Sequence, residues 1–261
     1  MWEVPSKTDE LDAIMLCRMG LERTLPIWQA PDTTLREIKL LTRERSQYQK
    51  KKTAAINQLH AYKNGFDVPK IIIERLEQEI ESLLDTIVII EQQLSVLVEQ
   101  EKDIKQTIDR ITKVPGLGVI SVLTVLAETN NFSLVNNIKQ LVSYAGLDVQ
   151  LNQSGKSSKR ARISKKGHRG NGNSHIRKAL YMPALAACNS KNSSLHDFYE
   201  GVIEKKPCKK IGVIAVERKL LILIYSLWKS KEEFDVKRHQ SQKEISCTIQ
   251  KNKSELVLTL N

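Results

Sequence analysis

The sequence is poor in most of the features that usually announce a function. Its four cysteines, Cys17, Cys188, Cys208 and Cys247, are scattered, with no C-x-x-C pair and no histidine at zinc-ligand spacing. That excludes a zinc ribbon and a disulfide framework, and it fits a reduced, cytoplasmic protein. Aromatic residues make up 5% of the chain, and Trp2, Trp28 and Trp228 read as core or interface residues rather than as base-stacking platforms. There is no membrane-spanning run. The most apolar late stretch, Ile211 to Trp228, is cut by Glu217, Arg218 and Lys219, and the opening MWEVPSKTDELDA has no apolar signal core. The most informative lack is of negative charge: from Val149 to His196 there are ten lysines and arginines and no aspartate or glutamate.

What is present is a chain of 261 residues, 41% apolar, enough for one large or two modest domains with real cores. Its formal charge of +11 favours a polyanionic partner, because cations that displace condensed counterions from phosphates gain affinity without reading sequence. The distribution matters more than the total. Ile71 to Arg110 holds ten acidic and four basic residues, a balance of −6, so the rest of the chain carries +17.

Periodicity predicts a mainly α protein. Lys7 to Met19 is a short helical pattern with Thr8 as its cap ahead of Leu11, Ile14 and Met15. Thr33 to Asn64 is a second helix, ended at Asn64-Gly65, where the glycine suits a left-handed cap. Then Ile73, Leu76, Ile80, Leu83, Ile87, Ile90, Leu94, Leu97, Glu101, Ile104, Ile108 and Ile111 recur at spacings of three and four, a heptad seam apolar at eleven of twelve positions. The seam pairs either with Thr33 to Asn64 in an antiparallel hairpin or with another subunit. Val119 to Ala127 is an apolar helix, Asn136 to Tyr144 holds short helical pieces, and Asp148 to Asn173 is a loop or loop-edged hairpin. Helices resume at Ser174 to Cys188 and Lys210 to Trp228. The domain reading is therefore 1–32, a coiled-coil region 33–111, a C-terminal domain 112–232 and a tail 233–261.

The acid-free segment is the first candidate for chemistry. A run of cations repels itself unless it meets phosphate, and Lys156, Lys159, Arg160, Arg162, Lys165, Lys166 and Arg169 suit that role, with Arg177 following on the next helix. Ser154, in Asn152-Gln153-Ser154-Gly155-Lys156, is a candidate nucleophile, because neighbouring cations would hold the charge that builds on an attacked phosphoryl group. The bland alternative for this serine is a turn. In Val114-Pro115-Gly116-Leu117-Gly118 the glycines Gly116 and Gly118 resemble the hairpin of a helix-hairpin-helix element, whose backbone amides approach a phosphate, although a plain turn reads equally well. Asp9 and Asp12, three apart, lie on one helix face and suit either a shared divalent cation or the helix dipole.

Taken in order, KTDELDA, the downstream Trp28, the heptad helix, VPGLG, YAGLDVQLNQSGK, ISKKGHRGN with SHIRKAL, and KKPCKKIGVIAVERKLL resemble bacterial transposases of the insertion sequence one-hundred-and-ten family. The likeness runs from residue 1 to about residue 235 and rests on the order of the motifs rather than on any one of them. It implies a RuvC-like domain with four acidic residues, a coiled coil and a helical C-terminal transposase domain with a serine nucleophile. It further implies a structured guide RNA, DNA of the mobile element and of its target, a homo-oligomer, and Mg2+ as cofactor. Within that pattern Asp9 and Asp12 match the last two family acids, and Ser154 matches the serine.

The first two family acids have no counterpart ahead of Asp9. The expectation from the resemblance is therefore a remnant of the RuvC-like α/β domain, a weak magnesium site, and a transposase that binds nucleic acid but recombines poorly. Two other readings use the same residues. A non-catalytic coiled-coil nucleic-acid-binding protein needs no nucleophile, and a RuvC-type metal nuclease would be indifferent to Ser154.

Overall fold

A computed structural model describes residues 8–24, 30, 32–148, 150–154, 157–162, 172–191, 193–205 and 207–234; for 150–154 and 157–162 it describes the backbone. The chain divides into two compact units, Met1–Pro31 and Asp32–Asn261.

The first unit contains helix α1, Asp9–Glu22. Thr8 caps it as the sequence predicts, its hydroxyl accepting from the Leu11 amide at 3.3 Å, and Asp9, Glu10 and Asp12 occupy the first turn, where the helix dipole favours acids.

The second unit is built from α2 (Thr33–Lys63), α3 (Lys70–Gln100), α4 (Lys102–Ile111), α5 (Val119–Glu128), α6 (Ile138–Ala145), a two-stranded hairpin of β1 (Gln150–Ser154) and β2 (Ser157–Arg162), then α7 (Ser174–Asn189), α8 (Ser194–Lys205) and α9 (Lys209–Ser230). The fold is mainly α, as the periodicity predicts. Of the two partners left open for the heptad seam, α2 of the same chain packs along α3. Leu76, Ile87, Ile90 and Leu94 are buried from α3, and Leu35, Ile38 and Ala55 from α2. Ion pairs stitch the hairpin on its outer side, Arg45 to Glu91 at 2.6 Å and Lys63 to Glu77 at 2.7 Å. Exposed pairs of this kind fix register more than they stabilise.

Three expectations need correction. The seam is not one helix: it breaks at Glu101, the one seam position that is not apolar, where the backbone turns to φ −104°, ψ 90°. The Glu101 carboxylate accepts from the Thr34 hydroxyl at 3.3 Å, so it holds the start of α2 instead of entering a core that would leave its charge unpaired. The turn after α2 does not use Gly65 as its left-handed residue; Asp67 takes that conformation, with φ 52°. Helix α8 was not anticipated at all.

Beyond the hairpin, α2 also packs on α5, α5 on α7, α7 on α8 and α9, and α4 and α6 on α9. One core therefore runs from Ile38 through Ile111, Leu123, Leu141, Ile176 and Leu180 to Leu220 and Ile224, all essentially inaccessible. Phe132, Tyr225 and Trp228 form an aromatic cluster at its edge, with ring centroids 4.9 to 5.9 Å apart. Trp228 is an interface residue between α9 and the turn after α5, donating its indole N–H to Asn131 at 2.8 Å. No helix among the described residues is long and apolar enough to cross a membrane.

One polar group inside this core is uncompensated. Glu217 on α9 is buried, and its Oε1 has no hydrogen-bond partner among the described residues. Burial pushes its carboxyl up to about 7, against the pull of the Arg177 guanidinium. Because the folded-state value lies above the unfolded one, the native state holds the extra proton between about pH 4.5 and 7, and stability falls as pH rises through that window. Glu217→Gln is expected to remove that slope and to raise stability at pH 8 by about 1–3 kcal/mol, measured as the difference between urea-unfolding curves of the two proteins from pH 4.5 to 8.

Candidate nucleic-acid interface

The basic segment leaves and re-enters the fold at one place. On the outgoing side α6 ends at Gly146, which takes the left-handed cap conformation (φ 71°). On the return, Gly172 (φ 83°) lies so close over Gly146 that a Cβ there would sit 2.3 Å from the Gly146 nitrogen. Only glycine fits such an approach. The Asn173 amide then donates to the Tyr144 carbonyl at 2.7 Å, closing the excursion.

Asn173 starts α7 and ties it to the rest of the fold. Its Oδ1 accepts from the amides of His175 and Ile176 at 2.9 and 3.3 Å, capping the helix. Its Nδ2 donates to Glu128 at 2.7 Å. Glu128 ends α5 with a fully buried side chain, and Arg43 of α2 grips it with two hydrogen bonds of 2.6 and 2.9 Å, while Lys39 stands 3.7 Å away. The Tyr144 hydroxyl donates to the Glu128 carbonyl at 2.9 Å. Burial alone would raise this carboxyl, yet the hydrogen bonds from Arg43 and Asn173, with the charges of Arg43 and Lys39, hold it below the ordinary value. Four segments meet at this one residue: α5 carries it, α2 and the start of α7 bind its carboxylate, and α6 binds its backbone carbonyl.

Of the loop or loop-edged hairpin that the sequence allows here, the described backbone of the excursion forms a hairpin. Gln150 pairs with Arg162, Asn152 with Lys159, Gln153 with Ser158 and Ser154 with Ser157, with a register shift between Gln150 and Asn152. Ser154 is thus the last residue of β1, two residues of chain from its strand partner. The side chains of Ser154, Lys159, Arg160 and Arg162 are outside the described residues, as are Lys156, Lys165, Lys166 and Arg169 entirely.

The remaining predicted residues fall in three places. Gly116 and Gly118 lie in the turn between α4 and α5, with Val114 and Leu117 buried beneath it. Gly116 has φ 89°, and a Cβ there would meet the Pro183 carbonyl oxygen at 3.0 Å, whereas Gly118 starts α5 with open space around it. Arg177 is half-buried and donates to the Ala145 carbonyl at 2.7 Å, so part of its guanidinium closes the end of α6. Asp9 and Asp12 share the first turn of α1, and among the described residues no group of three His, Cys, Asp or Glu side chains is placed to hold a metal ion.

Sequence reasoning missed Glu128, Arg43 and Lys50, whereas His175 already falls in the basic region with phosphate contact or surface exposure as its reading. Glu128 carried a usable signal, being the sole acidic residue between Ile111 and Leu147; such a residue inside apolar helices needs a buried partner. Arg43 and Lys50 carried none, because α2 is basic along much of its length.

Two family matches cover this architecture. Residues 108–200, from α4 into α8, match the family described as Transposase IS116/IS110/IS902, and residues 3–65 match a DEDD transposase family of the same group. The chain belongs to the IS110 family of transposases. Pilin gene-inverting proteins of Moraxella bovis and Moraxella lacunata are each 28% identical to the transposase over 251 residues, covering 91% of its length and 70% of theirs. The first match contains every element that meets on Glu128 except α2, which the second supplies.

The Glu128 hub should dominate the stability of this half of the transposase. Glu128→Ala, which leaves Arg43 without its buried partner, is expected to cost about 3–5 kcal/mol. Since the folded-state value lies below 4.5, the contribution is present above that pH and is lost as pH falls through the lowered value; urea titrations of wild type and variant should converge only in acid. In the turn, Gly116→Ala is expected to cost about 1–2 kcal/mol through its positive φ, and Gly118→Ala to leave the melting temperature within a degree or two.

Proposed function

We propose that this chain cuts and rejoins DNA strands in the transposition of a bacterial insertion sequence, with Ser154 as nucleophile. The observation that carries the reading is the closure at Gly146–Gly172, which brings the two ends of the excursion holding Ser154 together beside the buried Glu128 contacts. A nucleophile on an unanchored loop would pay the full entropy of positioning at each turnover, and anchoring reduces that cost. The relatives are named for inverting a pilin gene, a rearrangement that requires strands to be broken and resealed.

In the proposed step the Ser154 hydroxyl oxygen forms a bond to a DNA phosphorus, the bond from that phosphorus to one sugar oxygen breaks, and the serine proton ends on the departing sugar hydroxyl. The phosphoserine link conserves the energy of the phosphodiester. A second strand's hydroxyl then attacks the same phosphorus and returns the proton to the serine, so joining needs no external energy source. Lys156, Lys159, Arg160, Arg162, Lys165, Lys166 and Arg169 supply the positive charge that the attacked phosphoryl oxygens require.

Asp9 and Asp12 are the carboxylates assigned to a divalent cation. Two carboxylates would hold magnesium only with substrate phosphate oxygens and waters completing its octahedral shell. A structured guide RNA made by the element selects the DNA in this reading. The apolar side chains that α3 leaves exposed, Leu84, Val88, Ile89 and Val96, support self-association.

Ser154→Ala is expected to abolish strand exchange and the covalent protein–DNA adduct while leaving DNA affinity within about twofold. Denaturing gels of labelled DNA incubated with each protein read the adduct directly. Strand exchange that survives in the variant would sink the serine mechanism.

A further inference from the structure

Beside the Glu128 hub lies a groove of ≈ 760 Å³ between α2, the start of α5 and the first turns of α7, lined among others by Arg43, Ser46, Lys50, Ser121, His175 and Lys178. Its composition is one-sided. Among the described residues no aspartate or glutamate lines it. Arg43 is committed to Glu128, and Arg45, also on its wall, to Glu91, but among the described residues Lys50 and Lys178 have no carboxylate partner. Both line the groove, Lys50 from α2 and Lys178 from α7, and the nearby Lys50 ammonium holds Lys178 below its ordinary pKa.

Two exposed ammonium groups on the walls of one acid-free groove repel one another in the free protein, and an anion bound between them turns that repulsion into attraction. A backbone phosphate offers two non-bridging oxygens, one for each lysine, and the neutral hydroxyls of Ser46 and Ser121 stand on the same walls. His175 is held below its ordinary pKa by burial first and then by Arg43, Lys178 and Lys50, despite Glu128. It therefore adds a neutral hydrogen-bonding group at pH 7 rather than a third charge.

His175 and Lys178 lie on the first turns of the helix that Asn173 starts, so this wall of the groove follows the acid-free hairpin segment directly along the chain. Its volume exceeds what one free phosphate fills and suits a length of strand.

We infer that the groove between α2 and α7 is a DNA-backbone site in which Lys50 and Lys178 clamp one phosphate, positioning the strand beside the segment that carries Ser154. The inference rests on the reading that DNA is the substrate. It assigns the two lysines a positioning role rather than a catalytic one.

The test uses the full chain with Lys50→Ala/Lys178→Ala, Lys50→Arg/Lys178→Arg and Ser154→Ala. Affinity for a DNA duplex is measured across salt concentrations and compared with a structured RNA of equal length. In the double alanine variant DNA affinity is expected to fall roughly ten- to hundredfold at low salt, and the slope of log affinity against log salt to shallow by about one to two. The double arginine variant should keep wild-type values, and Ser154→Ala should keep the wild-type slope. Melting temperature in the alanine variant should equal or exceed that of wild type, because a repulsion has been removed; a clear fall would overturn the unpaired-lysine picture. An unchanged DNA slope with normal wild-type binding would overturn the groove and leave the transposase reading intact. Loss of RNA binding with DNA binding unchanged would also overturn it, assigning the groove to RNA. A wild-type chain that binds no DNA would sink both this inference and the proposed function.

Discussion

The buried carboxylate of Glu128 is the constraint on which the rest of this protein depends. A charge with no solvent access must be paired and hydrogen-bonded or it destabilises the fold, and every available partner comes from a different segment: Arg43 and Lys39 from α2, and Asn173 from the start of α7. Satisfying one side chain therefore fixes how the helical hairpin sits against the core and where α7 begins. A hydrophobic residue at the same position would pack, but it would not specify which residues must stand around it.

That constraint organises the site without being part of its chemistry. The close approach of Gly172 to Gly146 and the hydrogen bond from Asn173 to Tyr144 occur within the same few ångströms, so the acid-free segment is gathered to a single point of the structure. The β1–β2 hairpin lies within the segment closed there, and the α2–α7 groove is lined by the helix that begins where the segment ends. Concentrating cations in this way is costly in the free protein, because their repulsion is uncompensated, and it is repaid when phosphate is bound.

Much of the fold was legible. The heptad seam predicts α3 because an apolar stripe of that period can be buried only along a helix, and the cap at Thr8 follows from side-chain chemistry local to one turn. Glu101 shows the limit: the sequence marks it as the polar exception, but only the presence of the Thr34 hydroxyl beside it explains why the chain breaks there. Helix α8 escaped notice because it is short, buries only Leu195 completely and contains Gly201, which weakens helix propensity by about 1 kcal/mol. Of the candidate site, Ser154, its basic neighbours and His175 are proposed from the sequence, whereas Arg43 and Lys50 are not, since nothing in their local sequence distinguishes them from a solvated helix face.

By itself the sequence determined which segments form helices, where negative charge is missing and which family order the motifs follow, because these depend on neighbours along the chain. Which cations lose their freedom to buried acids and which remain unpaired was decided only by the tertiary structure. Arg43 and Lys50 lie seven residues apart on one helix, yet one is spent on Glu128 and the other faces Lys178. Pairing of charges is a matter of distance in space, and that distance is set by the packing of α2 against α5 and of α5 against α7.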